Sequence, residues 1–169
     1  RRYGFHGTSH RYVSQRVCEF LGVKPEGLKV ITCHIGNGAS IAAVKDGKCV
    51  DTTMGLTPLE GLMMGTRCGD IDAGAVTFIM DKEGLDTAGV SDLLNKKSGV
   101  AGLRNGASDM RDLEAAVEAG DEEAIMVDKM YNYRIKKYVG AYGWSRCDRI
   151  HRWCGRKPMQ LPCCRLRRP

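Results

Sequence analysis

The sequence has few aromatic residues and no long apolar run. Phe, Trp and Tyr make up 7% of its 169 residues, and Pro occurs five times. No apolar stretch reaches the roughly 18 residues of a membrane-spanning helix, so we predict no membrane segment. The first ten residues, RRYGFHGTSH, lack the apolar region of a secretory signal. An initial Met is also missing, which leads us to expect an internal piece of a longer protein.

The composition is that of a folded domain. With 43% hydrophobic residues and a mean hydropathy of -0.31, the chain is neither disordered nor collagen-like. Its length is enough for one domain of ordinary size with a buried core.

The net charge of +6 is concentrated near the C-terminus. Residues 143–169 contain eight basic residues and one acidic residue, whereas residues 1–142 contain 18 basic and 19 acidic residues. Both Trp, four of the eight Cys and three of the five Pro also lie in residues 143–169. We therefore divide the chain near Tyr142 into a near-neutral main segment, 1–142, and a basic tail, 143–169.

Strands precede helices in the main segment. Apolar runs predict strands at 28–34, 40–45 and 48–53, and Asp46-Gly47 predicts a tight hairpin between the last two. Apolar periodicity predicts helices at 11–21, 72–81, 91–97, 109–119 and 121–138, with a Gly-rich loop at 98–108. This order indicates an α/β or α+β fold.

Three details of these helices are testable. Ser9 is expected to cap the first helix and Gly22 to end it. Met126, Met130 and Tyr133 recur at helical spacing, and we interpret them as core residues.

A Gly-x-Gly turn after the first strand is the strongest candidate for a binding site. His34, Ile35, Gly36, Asn37 and Gly38 occupy the strand end and the turn. Glycines let backbone N–H groups approach an anion closely, and His and Asn side chains can donate to phosphate oxygens. The alternative is a plain hairpin without a ligand.

Two further loops contain candidate phosphate-binding residues. Arg67 lies between Thr66 and Cys68 in a Gly-rich loop, where its planar donor fork could reach a phosphoryl group. His6 lies in a Gly-rich loop and could donate to the same group. Each could equally be an ordinary loop residue, and Asp70 or Asp72 could orient the arginine or cap a helix.

The weakest candidate is Asp109-Met110-Arg111, at a predicted helix start. By itself this run is typical of an N-terminal acid beside a surface arginine.

Cysteine spacing gives no pairing pattern in the main segment, which indicates reduced, cytoplasmic usage. In the tail, a zinc site could be assembled from Cys and His, but the spacing fits no standard zinc finger. These residues are Cys147, His151, Cys154, Cys163 and Cys164.

Taken together, the motifs resemble the acetate kinase family, which includes propionate and butyrate kinases. The resemblance rests on RRYGFHGTSHRYVS, ITCHIGNGASIAAVKDGK and DTTMGLTPLEGLMMGTRCGDID, followed by SDMRDLE and YRIKKYVGAY, and it covers 1–142. It implies an incomplete ribonuclease-H-like domain of the actin-like ATPase type. We expect a three-stranded antiparallel start of a mixed sheet, followed by helices, as part of a second domain.

The resemblance also implies roles for the candidate residues. His6 and Arg67 resemble the family's two stabilisers of the transferring phosphoryl group. Residues 34–38 resemble the loop that holds the ATP phosphates, and residues 109–111 resemble a loop that contacts the nucleotide. The implied reaction is direct in-line transfer from ATP to acetate, giving acetyl phosphate, with Mg²⁺ as the metal.

Other parts of the family's site do not match any part of this sequence. The family's N-terminal domain supplies further catalytic residues. The magnesium ligands of the family match no residue of this chain. We therefore predict that these 169 residues alone are inactive. The family also implies a cytoplasmic homodimer with no membrane association.

The tail is compatible with a shifted reading frame. Synonymous codons for residues 142–157 can be chosen so that the next frame encodes MGGVDAIVFTGGVGEN, which resembles the strand and turn that the family would have there. Both Trp codons then encode Gly. We hypothesise that residues 143–169 are a frameshift product rather than a domain, with the strand lost and local disorder after about Tyr142.

A different class of function is nucleic-acid binding through the basic tail. It predicts strongly salt-dependent binding. A frameshift explains the same residues better, so we favour it over a nucleic-acid partner.

Overall fold

A computed structural model describes residues 2–143 and the backbone of residues 151–153. The chain begins with helix α1, Gly7–Leu21, which is followed by strands β1, Lys29–Ile35, β2, Ala39–Lys45, and β3, Lys48–Thr52. Five helices follow, namely α2, Ala73–Glu83, α3, Thr87–Lys96, α4, Gly99–Leu103, α5, Met110–Glu118, and α6, Glu122–Ala141. A short strand, β4, His151–Trp153, ends the described part.

The strands form one mixed sheet in the order β3-β2-β1-β4. β2 pairs antiparallel with both β1 and β3, with Thr32 opposite Ala42, and β4 is parallel to β1. Asp46 and Gly47 both have positive φ, at 53° and 73°, as the tight β2–β3 turn requires. The expected antiparallel start of a mixed sheet followed by helices is therefore confirmed.

β4 lies in the tail, where the frameshift hypothesis expects the strand to be missing. Thr32 is opposite His151 and His34 is opposite Trp153 in the parallel pairing. Ladder hydrogen bonds join backbone groups, so the pairing does not require particular side chains. The expected disorder after Tyr142 and the possible zinc ligands otherwise lie outside the described residues.

The core lies between the sheet and helices α4, α5 and α6. It contains Ile31, Ile41, Met54, Leu62, Met64, Val100, Leu113, Val127, Tyr131 and Ile135, each at most 2% exposed. On α6, Val127, Tyr131 and Ile135 face this core. The prediction that Met126, Met130 and Tyr133 are core is wrong, because these side chains are 51%, 43% and 65% exposed.

Helix α1 begins earlier than predicted. Its N-terminal cap is His6, at φ 56°, and no side chain caps the helix there. Gly22, in the left-handed conformation, ends the helix as expected. The face that is buried is polar, with His10 and Ser14 the buried residues. His10 on this face hydrogen-bonds to Thr32 and Ser40 of the sheet, and a search for apolar periodicity does not detect such a polar face.

The segment 98–108, predicted as loop, contains the five-residue helix α4. Among the described helices, none is long and apolar enough to cross a membrane. Cys18, Cys33, Cys49 and Cys68 form no disulfide within the described residues.

Candidate active site

The Gly-x-Gly turn joins β1 to β2 at one end of the sheet. Gly36 N donates to Gly38 O at 3.1 Å, which closes the turn. His34, the second-last residue of β1, is half-buried, and its Nδ1 lies 2.9 Å from Ser9 Oγ on α1. Ser9, predicted as a helix cap, is thus inside α1 and contacts His34 instead.

His6 lies directly over this turn. Its ring stacks on His34 with centroids 4.0 Å apart, and its Nδ1 lies 2.8 Å from Ser40 Oγ at the start of β2. The left-handed backbone of His6 immediately precedes α1, and its carbonyl accepts from His10 N in the first turn of the helix. The start of α1 therefore fixes the backbone from which the His6 ring projects.

Arg67 reaches the same place from the loop that precedes α2. A Cβ placed on Gly38 would lie 3.3 Å from Arg67 Nη2 and 3.4 Å from His6 Nε2. The two side chains therefore converge on Gly38, whose missing Cβ leaves space beside both nitrogens. Arg67 Nη1 donates to Pro58 O at 2.7 Å, which orients the guanidinium.

The loop that carries Arg67 packs directly on the glycine turn. Gly65 N donates to Asn37 O at 2.9 Å, and a Cβ on Gly65 would lie 1.8 Å from Asn37 Oδ1. A side chain at this position would displace the Asn37 amide, so glycine lets the two loops pack together as one surface. His6, residues 34–38 and Arg67 are thereby brought together.

Asp70 holds the end of the same loop. Its Oδ1 accepts from Gly61 N at 2.8 Å, and its Oδ2 accepts from Arg134 Nη2 at 2.6 Å and from the Tyr138 hydroxyl at 2.7 Å. Burial and, to a smaller extent, hydrogen bonding to Asp70 raise the pKa of Tyr138 above its usual range. Arg134 and Tyr138 lie 64 and 68 positions further along the chain than Asp70, so no local pattern could have predicted this cluster. Asp72, the other candidate, caps α2 by accepting from Gly74 N.

Asp109 and Arg111 lie at the start of α5. Asp109 caps this helix and accepts from the Arg111 side chain, and the arginine holds the pKa of Asp109 at about 2. Met110, between them, is buried in the core. Among the described residues, no hydrogen bond links this pair to the group around Gly38.

Neutral imidazoles surround the glycine turn. Burial, with the neighbouring His34 and Arg67 adding to it, lowers the pKa of His6 to about 4. Burial, with His34 and His6 adding to it, lowers the pKa of His10 to about 4, and burial lowers the pKa of His34. At neutral pH the cationic group at this surface is therefore Arg67.

Burial of neutral His10 predicts acid destabilisation of the fold. Below the ordinary histidine pKa of 6.5 the unfolded chain gains a proton that folded His10 takes up only near pH 4. Stability is therefore retained above pH 6.5 and falls as pH decreases to about 4, by on the order of 3 kcal/mol for this buried ring. Urea titrations of the 169-residue chain across this range measure the effect.

The His10→Gln variant is the control for this prediction. It removes the titrating ring, so its stability should depend less on pH between 6.5 and 4. A wild-type chain whose unfolding free energy is constant over that range would contradict the assignment of a buried neutral His10.

The sheet, the glycine turn and the helices packed behind it define an α/β domain of the ribonuclease-H-like, actin-like ATPase fold. A model of the Acetokinase family matches residues 1–151. The chain belongs to this family.

Curated relatives support the assignment. An acetate kinase of Bacteroides fragilis is 82% identical over 142 residues, which are 84% of this chain and 36% of that protein. An acetate kinase of Parabacteroides distasonis is 68% identical over 157 residues, which are 92% of this chain and 39% of that protein. The chain thus spans little more than a third of the length of these curated relatives.

Solved structures give the same result. The crystal structure of Porphyromonas gingivalis acetate kinase matches with a TM-score of 0.81 and 61% identity, covering 85% of this chain and 36% of that one. A propionate kinase from Francisella tularensis matches with a TM-score of 0.79 and 43% identity over 85% of this chain and 36% of that one.

Proposed function

We propose that this chain is the phosphoryl-binding part of an acetate kinase, which transfers the γ-phosphoryl group of ATP to acetate and forms acetyl phosphate. The observation that carries the proposal is the convergence of Arg67 Nη2 and His6 Nε2 on Gly38. The acceptor, acetate, and the nucleotide donor are inferred from membership of the Acetokinase family and from relatives named acetate kinase.

His6 and Arg67 act on the group in transfer. An acetate oxygen attacks the γ-phosphorus while the bond to the leaving oxygen of ADP breaks, and negative charge spreads over three equatorial oxygens. Donors placed in advance around those oxygens stabilise this charge more than they stabilise bound ATP. The Arg67 fork supplies the positive charge, and the neutral His6 ring supplies a hydrogen bond beside it.

The nucleotide lies along the glycine turn. His34, Ile35, Gly36, Asn37 and Gly38 face its phosphates, and Ser9 orients the His34 ring. Residues 109–111 contact the nucleotide, for which the exposed Arg111 fork and its Asp109 partner are suited, with Met110 buried between them. This role is inferred from the resemblance of the segment SDMRDLE to the loop that contacts the nucleotide in the family.

Magnesium belongs to the family reaction, where it neutralises charge on the nucleotide phosphates. The donors around Gly38 do not fit it, because they are imidazole and guanidinium groups and Mg²⁺ prefers carboxylate and other oxygen ligands. Any protein ligands for the metal would therefore come from other parts of the full-length protein. A cytoplasmic homodimer is likewise proposed by family analogy.

A chimera tests the proposed function. Residues 2–142 replace the matching segment of the Bacteroides fragilis acetate kinase, and acetate-dependent ADP formation is measured beside the parent enzyme. We expect activity close to that of the parent, with acetate preferred over propionate and butyrate in kcat/KM. A folded but inactive chimera would overturn the proposal, and a preference for propionate would favour the propionate kinase alternative.

The 169-residue chain alone is expected to show no acetate-dependent ATP turnover. It spans 36% of the Bacteroides fragilis relative, and residues elsewhere in the family complete the site. The same coupled assay measures this, and turnover above the blank without enzyme would contradict it.

The boundary near Tyr142 and the frameshifted origin of the tail are also proposed. Support comes from curated relatives that match over 142 residues, the length of the near-neutral main segment, although one relative matches over 157. Sequencing the DNA across the Tyr142 codon decides the question, and an intact frame there refutes the frameshift.

A further inference from the structure

A continuous chain of polar side chains runs from the sheet interior to His6. Thr32 Oγ1 lies 2.7 Å from His10 Nδ1, His10 Nε2 lies 2.8 Å from Ser40 Oγ, and Ser40 Oγ lies 2.8 Å from His6 Nδ1. Thr32, His10 and Ser40 are 1%, 7% and 0% exposed, so water does not compete for these bonds. The outer end of the chain is His6 Nε2, beside Gly38 and Arg67.

The single hydroxyl proton of Ser40 restricts the tautomers of the His6 and His10 rings. Ser40 can donate to one of the two histidines and must accept an N–H from the other, since two lone pairs would otherwise face each other at 2.8 Å. His6 Nδ1 and His10 Nε2 therefore have opposite protonation states when both rings are neutral. Burial lowers the pKa of each ring to about 4, so both are neutral at pH 7.

The contacts of the Thr32 hydroxyl distinguish the two possible directions of hydrogen-bond donation along this chain of side chains. In one direction Thr32 donates to His10 Nδ1, so His10 Nε2 bears the proton and donates to Ser40. In the other, His10 Nδ1 donates to Thr32, and the Thr32 hydroxyl is left with Ala42 O, 3.4 Å away. That distance is outside the usual range for an O–H···O bond, and an unsatisfied buried hydroxyl is costly. The first direction leaves no poor bond.

We propose that Thr32, His10 and Ser40 are positioning residues that fix His6 in the tautomer whose Nε2–H points at the transferring phosphoryl group. Thr32 donates to His10, His10 donates to Ser40, and Ser40 donates to His6 Nδ1. His6 then presents a neutral N–H donor to the oxyanion. This inference rests on the proposed function for its consequence in catalysis, but the tautomers themselves do not depend on it.

Nitrogen NMR of the 169-residue chain with ¹⁵N-labelled histidine tests the tautomers. At pH above 6.5 we expect His6 and His10 each to bear the proton on Nε2, with Nδ1 unprotonated. Ser40→Ala should leave His6 in a mixture of tautomers, whereas Ser9→Ala, which removes the hydroxyl beside His34, should leave the His6 tautomer unchanged. A proton on Nδ1 of either ring in the wild-type chain overturns the proposal.

Kinetics of the chimera supply the second measurement. Ser40→Ala should lower kcat by about tenfold through loss of His6 orientation, with KM for ATP and acetate little changed. Ser40→Thr retains the hydroxyl and should recover part of the loss. An unchanged kcat in Ser40→Ala overturns the role in catalysis. An inactive wild-type chimera with the expected tautomers would instead indicate failure of the proposed kinase function.

Discussion

Replacement of Arg67 by alanine in the chimera is expected to lower kcat by about a thousandfold, since removal of one donor to a developing oxyanion costs up to that much. Its Nη2 and His6 Nε2 both lie beside Gly38, and its Nη1 donates to Pro58 O. The guanidinium is thus fixed before substrate binds, so its stabilisation of the transition state is not offset by an entropy cost of ordering the side chain during the reaction. Steady-state kinetics with ATP and acetate measure the effect.

Two further variants show whether the loss comes from the donor fork itself. Arg67→Lys keeps the charge but loses the planar fork, so we expect it to recover only a small part of the activity. Arg16→Lys changes an exposed arginine paired with Glu19 on α1, and it should have no measurable effect. A fully active Arg67→Lys enzyme would show that charge alone is sufficient, and a fully active Arg67→Ala enzyme would remove Arg67 from the proposed mechanism.

Replacement of Gly99 by alanine is expected to destabilise the fold strongly, although it adds only one methyl group. Gly99 has φ 62°, and a Cβ there would lie 2.2 Å from Met64 O and 2.7 Å from Arg67 O. The backbone of α4 donates to this loop through Val100 N to Met64 O at 3.0 Å, so the clash cannot be relieved without moving the loop of Arg67. Overpacking of this kind costs about 1–3 kcal/mol beyond the cost of the left-handed backbone.

Gly22 provides a matched control. Its φ is 63°, almost the same as that of Gly99, but a Cβ there would meet nothing within 4 Å. Gly22→Ala should therefore lose only the backbone contribution, about 1–2 kcal/mol. Urea unfolding of the two variants of the 169-residue chain measures the difference. Equal losses of unfolding free energy would show that the backbone of Met64 and Arg67 shifts without cost to make room for the methyl group.

Local sequence patterns located most of the fold. The hairpin at Asp46-Gly47 and the three strands agree with the structure to within a residue or so at each end, because period, β-branched content and turn residues are local properties. Helix ends marked by Asp72, Asp109 and Asp121 also agree, since each carboxylate caps a helix through its own neighbours. The start of α1 was missed because His6 begins it without a capping side chain.

The apolar stripe of α6 marks a limit of such patterns. Two sets of apolar residues recur at helical spacing on this helix, and periodicity alone does not say which one meets the sheet. The structure buries Val127, Tyr131 and Ile135 and leaves Met126, Met130 and Tyr133 exposed. The choice depends on where α5 and β2 lie, which is not a property of α6.

The strand–turn–strand unit, the aspartate caps of α2, α5 and α6 and the residue types suited to phosphate could all be predicted from local sequence, because each depends on neighbours a few positions apart. The convergence of Arg67 and His6 on Gly38, and the hydrogen bonds from Arg134 and Tyr138 to Asp70, depend instead on the tertiary fold. It also joined Thr32, His10 and Ser40 into one chain of hydrogen bonds behind His6. These contacts connect residues far apart along the chain, and they form only when the sheet, α1 and α6 pack together and exclude water.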